Sequence, residues 1–283
     1  MTYDAYIEAG APEWHDLGKW NISTPFGWDS DGIRGYVFAD EKNTTLVVSI
    51  KGTSMGFLGG GGPTVGRDKV NDNLLFSCCC ARVDYSWTPV CGCFMSGNQC
   101  DLDCLEESIT PENIYYSMAL DLFTKLETEY PEANVWLVGH SLGGSISALL
   151  GQTFALPVVA FEAPGDRLAA SRLHLPMPPA VDYNKLPIWH FGHTADPIYM
   201  GTCTGATSVC YYGGYAMESK CHSGRACVYD VVAEWGWRMD SRTHRITDVI
   251  EKVIKPWKDV PQCVPEEGCV DCGLWEMVGS DDS

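Results

Sequence analysis

The chain has 283 residues, room for one large domain with a substantial core. Its 19 basic and 37 acidic residues give a net charge of −18, which argues against a nucleic-acid partner and against electrostatic adhesion to anionic lipid, since both require a basic surface. No run of about 18 apolar residues is present to span a bilayer, and the opening Met1-Thr-Tyr-Asp-Ala-Tyr-Ile-Glu8 lacks the basic and apolar regions of a signal peptide.

In chain order, the runs 35–39 and 45–50 flank the polar stretch Asp40 to Asn43 and read as a hairpin. Two glycosylation sequons, at Asn21 and Asn43, fall in this region. Residues 51–63, with four consecutive glycines at 59–62 and Pro63, cannot form a regular element and read as a loop carrying the apolar side chains Met55, Phe57 and Leu58. A cysteine-rich insertion at 78–104 interrupts the pattern. Thr110-Pro111 then reads as the N-cap and first residue of a helix whose apolar face is Ile114, Met118, Leu122 and Leu126, with Pro131 beyond its end.

From there strand and helix alternate: strand 135–138, helix 142–154, strand 157–161, strand 188–191, and helical spacing over 243–255 in Ile246, Val249, Ile250 and Val253. The expectation is an α/β fold, a mostly parallel sheet with helices on both faces. It forms one domain over 1–283, with a core of about 30–256, the disulfide-rich insertion, and an acidic, cysteine-containing tail at 257–283.

The 14 cysteines fall in clusters of seven (78–104), four (203–227) and three (263–272). Zinc is the weaker reading, because the first cluster contains no histidine and does not resolve into two clean C-x-x-C pairs. Together with the sequons, the cysteines predict a disulfide framework formed in an oxidising lumen. Two clusters are odd, so at least one bond must leave its cluster if all pair. Such a protein needs an export signal; its absence from the opening residues predicts a fragment or trimmed form of a longer chain.

Gly139-His-Ser-Leu-Gly143 matches G-x-S-x-G, with an expected strand before it and a small-residue helix after it, the context of a nucleophile on a sharp turn. A phosphate-binding turn is the competing reading, but it calls for G-x-G-x-x-G or G-K-[ST], and neither occurs here. Ser141 therefore needs a histidine base and an orienting acid, in the order Ser, acid, His. His244 is the best-placed base: His15 and His140 precede the serine, His174 leaves little chain for an acid, His190 and His193 belong to a strand, and His222 sits in a cysteine-rich loop. Asp196, just after the 188–191 strand, is the preferred acid and Asp166 its rival. Backbone N–H groups of Thr53 and Leu142 are the candidate oxyanion donors. This chemistry calls for no metal or cofactor.

Gly-His-Ser-Leu-Gly-Gly after Val-Trp-Leu-Val, with Lys51-Gly-Thr53 at an earlier strand end, resembles the class 3 lipases of the α/β-hydrolase fold. The strings at 72–84, 87–91, 159–165, 169–176, 193–198, 213–219 and 242–244 resemble the fungal autophagy-related vacuolar lipases, with a likeness running over about residues 12–275. The resemblance implies a luminal lipase and phospholipase that degrades autophagic bodies and intravacuolar vesicles, with membrane lipid as substrate. It puts Ser141, Asp196 and His244 in the triad and Thr53 in the oxyanion hole, and it implies a lid at about residues 54–69. Members of that family carry an N-terminal membrane anchor; none is visible here, which fits a truncated or soluble form. An esterase for soluble esters and a non-catalytic lipid-binding module are the alternatives. An acidic lumen raises a further expectation. A histidine of ordinary pKa, about 6.5, would be protonated there, so either activity peaks above luminal pH or the site lowers the basicity of its base.

Overall fold

The computed structural model describes residues 1–28, 32–54, 63–110, 114–176 and 185–279. An N-terminal 3-10 turn (Asp4–Tyr6) precedes edge strand β1 (Asn21–Phe26) and the expected hairpin, β2 (Gly35–Ala39) with β3 (Thr45–Ile50). Asp40 fixes the hairpin turn: its carboxylate accepts the Thr44 and Thr45 N–H groups at 2.7 and 3.1 Å, and Asn43 takes φ 54°. Asn21 and Asn43 are both exposed.

Helix α1 (Val65–Phe76) begins within the stretch of about 54–69 where the resemblance implies a lid. Its buried face includes Asp68, Asn71, Asp72 and Asn73, so apolar periodicity could not reveal it. The cysteine-rich insertion contributes β4 (Gln99–Asp101) and α2 (Leu102–Ser108).

Helix α3 (Tyr115–Glu129) begins later than Thr110-Pro111 suggested. Ile114 holds the cap position, and the Tyr115 N–H is satisfied by Asn71 Oδ1 at 2.7 Å. Thr110 instead donates through its hydroxyl to the Glu107 carbonyl at the end of α2. The tertiary partner on α1 replaces the local cap; residues 111–113 lie outside the described residues.

Next come β5 (Asn134–His140), α4 (Leu142–Phe154), β6 (Val158–Phe161), α5 (Arg167–Arg172) and β7 (Ile188–His193). They are followed by α6 (Val209–Gly213), β8 (Arg225–Tyr229) and α7 (Val231–Trp235). The segment read as a helix from 243 begins instead as a 3-10 turn (Ser241–His244), followed by α8 (Ile246–Asp248) and a π-helical stretch (Val249–Ile254). Strands β9 (Cys263–Val264) and β10 (Glu276–Val278) lie in the tail.

The main sheet runs β1-β2-β3-β5-β6-β7-β8-β9, parallel from β3 to β8 and antiparallel at both edges. Because side chains alternate along a strand, Val48, Leu137, Val158, Ala160 and Ile188 share one face, where they pack with Ile146, Leu149 and Leu150 of α4 in the main core. The opposite face carries Phe161, Phe191 and Tyr229; Phe191 and Tyr229 pack with Val253 and Trp257 of the C-terminal helical segment, and Trp14 of the N-terminal segment packs on Tyr36 and Phe38. Among the described residues, no helix is long and apolar enough to cross a membrane.

All 14 cysteines pair, as the framework reading expected. Cys79–Cys100, Cys80–Cys91 and Cys93–Cys104 knit the insertion, and Cys203–Cys210 closes a short loop. Cys78–Cys272, Cys221–Cys269 and Cys227–Cys263 send every cysteine of the third cluster to an earlier part of the chain. The acidic tail is thus stapled three times to the core.

Candidate active site

Ser141 lies between β5 and α4 with φ 58° and ψ −134°, a conformation that costs a non-glycine residue about 1–3 kcal/mol and persists only where the surroundings enforce it. They do so by crowding. A Cβ on Gly139 would come within 2.3 Å of the Gly143 backbone, and one on Gly143 within 2.2 Å of the Ile50 carbonyl. The two glycines of the motif therefore let β5, the first turn of α4 and the end of β3 meet around the serine.

His244 Nε2 lies 2.8 Å from Ser141 Oγ, and its Nδ1 lies 2.6 Å from Asp196 Oδ2. With the Nδ1 proton facing a carboxylate, Nε2 is left to accept the serine proton. Asp196 follows β7, is fully buried, and accepts the Ile198 N–H through Oδ1 at 2.9 Å. Burial pushes its carboxyl up, but the charge and hydrogen bond of His244 and a hydrogen bond from Glu162 outweigh that, so it sits below the usual carboxylate value. Ser141 and His244 are each only 2 % exposed.

The rival acid is elsewhere. Asp166 accepts the Ser223 N–H at 2.9 Å and the Ser223 hydroxyl, and His190 Nε2 lies 3.3 Å from it. His222 is bonded to Glu266 in the tail and to the Ala163 carbonyl, a structural arrangement. Gly52 and Thr53 follow β3 beside Ser141: a Cβ on Gly52 would stand 2.9 Å from Ser141 Cβ. The Thr53 hydroxyl donates to Asp72 Oδ2 at 2.5 Å, which fixes that backbone, and Leu142 is the first residue of α4. Asp68 accepts from the Ser54 N–H (2.8 Å), the Thr64 hydroxyl (2.9 Å) and the Tyr115 hydroxyl (2.7 Å), tying down both flanks of the glycine-rich stretch. Met55, Phe57 and Leu58 lie outside the described residues.

The class 3 lipase family matches residues 91–158, a span that holds β5, Ser141 and α4. A protein of Cryptococcus neoformans var. neoformans serotype D named "Putative lipase ATG15" is 53 % identical over 279 residues, covering 98 % of this chain and 52 % of its own length. One of the same name from Saccharomyces cerevisiae is 50 % identical over 288 residues, covering 100 % and 55 %. The chain carries a class 3 lipase match. It spans about half the length of the relatives it matches. Among solved structures, the Lip2 lipase from Yarrowia lipolytica is similar over 81 % of this chain and 75 % of that one, at 16 % identity and a TM-score of 0.42. Lipase II from Rhizopus niveus covers 80 % and 76 %, at 16 % identity and a TM-score of 0.39.

Around Ser141, His244 and Asp196 stand groups the sequence did not single out. His140, set aside because it precedes the serine, links the N-terminal segment to His244. The Tyr6 hydroxyl donates to His140 Nδ1 (2.6 Å) and accepts from the Gly52 N–H (3.0 Å), while His140 Nε2–H donates to the His244 carbonyl (2.7 Å). Burial, then the His244 charge, lowers the His140 pKa to about 3, so the ring is neutral and keeps this one-donor, one-acceptor arrangement. From β7, the His193 ring meets the Thr243 carbonyl at 3.2 Å. The segment carrying His244 is thereby held from two strands. For His140 the signal was its place inside the motif; for Tyr6 there was none, since only the fold brings residue 6 to residue 140.

Proposed function

We propose that this chain is a serine ester hydrolase of the lipase type, acting on acyl esters of membrane phospholipids and acylglycerols, with Ser141 as nucleophile, His244 as base and Asp196 as its orienting acid. The observation that carries the reading is the continuous Ser141–His244–Asp196 relay at 2.8 and 2.6 Å, anchored on a strained strand-to-helix turn in a chain that carries a class 3 lipase match. In this reading Ser141 Oγ attacks the ester carbonyl as His244 Nε2 takes its proton. The tetrahedral oxyanion is met by the backbone N–H groups of Leu142 and Thr53. His244 returns the proton to the leaving alcohol, a lysolipid or partial glyceride. It then activates water, which releases the fatty acid. Asp196 keeps the imidazole in the required tautomer and stabilises its cation.

The setting is proposed from the resemblance to the fungal autophagy-related lipases: the vacuolar or multivesicular-body lumen, where autophagic bodies and intravacuolar vesicles are broken down. The seven disulfides support an oxidising route to that lumen, and the exposed Asn21 and Asn43 are proposed glycan acceptors on it. Labelling with an organophosphonate probe tests the chemistry. Wild type is expected to label, and Ser141→Ala should neither label nor turn over ester, with a loss on the order of 10⁶ in kcat. A labelled, active alanine variant would falsify the nucleophile. Comparing dispersed phospholipid with a short soluble ester separates a lipase from a plain esterase; a wild type active only on the short ester sinks the membrane-lipid assignment.

A further inference from the structure

Behind the candidate acid lies a second carboxylic acid that the relay does not use. Glu162 ends up at φ 44° just beyond β6 and is fully buried. It sits between the strand that leads to Asp196 and the one that leads to the serine. Its Oε2 accepts the His193 N–H at 3.2 Å, while its Oε1 has no donor to accept from. The carboxyl of Asp196 lies within hydrogen-bonding reach of it. Two facing carboxylates that are both fully buried cannot both be ionised, and an oxygen that meets only an acceptor is best satisfied by carrying the proton itself.

The imidazole of His193 does not neutralise Glu162. Its Nε2 is 3.8 Å from Glu162 Oε1 and turned to the Thr243 carbonyl, while its Nδ1 accepts the Ala195 N–H at 3.2 Å, which is the bonding of a neutral ring. The other titratable groups that face the pair are Tyr199 in the loop after β7, Tyr229 at the end of β8, and His244 with His140 behind it. Burial raises both tyrosines, so they stay uncharged, and His140 is neutral. Proton sharing is therefore settled between the two acids. Burial and the Asp196 charge push Glu162 well above the usual carboxylate range, while Asp196 is held below it.

We propose that Glu162 is a positioning residue that stays protonated in the folded protein and donates its hydrogen bond to Asp196, leaving Asp196 ionised toward His244 but a weaker base. The donated bond draws electron density from Asp196, so Asp196 stabilises the His244 imidazolium less than an unshared carboxylate would. The acid limb of kcat/KM then lies at lower pH than it would with an unshared Asp196, and the enzyme keeps working in an acidic lumen. This proposal rests on the triad reading given above.

The test is the pH profile of kcat/KM on a short soluble ester for wild type, Glu162→Gln and Glu162→Met, with Ser141→Ala alongside. Gln keeps the geometry: its carbonyl accepts from His193 and its amide donates to Asp196. Its acid limb should coincide with that of wild type. Met removes the donor, so the acid limb should move up by about one pH unit, a roughly tenfold loss of kcat/KM on that limb. A Gln profile shifted to lower pH would show that Glu162 is ionised in wild type and overturns the proposal. So would a Met profile that does not move. If the Met variant does not fold, infrared difference spectra of wild type against Glu162→Gln at neutral pH decide. Loss of the carbonyl band of a water-excluded, protonated carboxylic acid is expected, and its absence from wild type overturns the proposal. An active Ser141→Ala would bring down the triad reading without touching the infrared result.

Discussion

Replacing Asp196 by Asn keeps the shape of the relay and removes its charge. The carboxylate is fully buried with Oδ2 2.6 Å from His244 Nδ1, so when the imidazole gains the serine proton the two charges face each other with centres roughly 4 Å apart. At an effective dielectric constant of about 20 that attraction is about 4 kcal/mol, near three decades in rate. An amide at that position also permits the wrong imidazole tautomer, with its proton on Nε2 facing Ser141. Together these predict a fall in kcat of about 10⁴ with little change in KM. Asp166→Asn is the matched control, since its carboxylate bonds Ser223 and neighbours His190 rather than His244. Per folded molecule it should leave kcat unchanged. The assay is stopped-flow hydrolysis of a chromogenic short-chain ester, normalised to folded protein by circular dichroism. A kcat for Asp196→Asn within about tenfold of wild type, or a larger loss for Asp166→Asn, refutes the assignment of the acid.

The tail staples give a stability prediction. Cys78–Cys272 spans 194 residues and Cys203–Cys210 only 7, so loss of the first pair to alanine should cost about 5 kcal/mol and loss of the second about 2, read as the change in guanidinium unfolding free energy. The reverse order would show that native-state strain, not chain entropy, sets their contribution. A second prediction concerns pH and the tail. Burial works against the His222 cation, but the hydrogen bond and charge of Glu266 raise its pKa above 6.5. Burial likewise opposes the Glu266 charge, yet the His222 bond lowers its pKa below 4.5. The histidine's contribution is fully present below 6.5 and is lost as pH rises through its raised folded value. That of the glutamate is present above 4.5 and is lost as pH falls through its lowered one. The pair should stabilise most between those limits, so Glu266→Gln should lower Tm chiefly in that window; an equal Tm loss at neutral and mildly alkaline pH argues against the ion pair.

How much of this was legible in the sequence follows from which signals are local. The 35–39 and 45–50 hairpin, the strand-to-helix turn at Ser141 and α4 itself could be read from residues near one another, because backbone alternation, turn chemistry and small-residue packing act over a few positions. The order Ser, acid, His limited the partners of Ser141, yet spacing left both Asp166 and Asp196 open; only the relative positions of the ends of β6 and β7 bring one to His244 and send the other to Ser223. Helix α1 was hidden because its buried face is made of Asp68, Asn71 and Asp72, held there by partners distant in sequence. The tail's three separate staples could not be deduced from a cluster of three cysteines, since pairing depends on which Cα atoms come within bonding distance. The same holds for Tyr6 on His140 and His244 on Asp196: each pair meets at 2.6 Å, and no property of either residue alone reveals the neighbour the fold supplies. By itself the sequence determined the candidate nucleophile, the turn that carries it and the existence of a disulfide framework, because these rest on local geometry and composition. The tertiary structure decided which carboxylate meets His244, which groups surround it and the path of the tail, because these rest on distances between parts of the chain that only folding brings together.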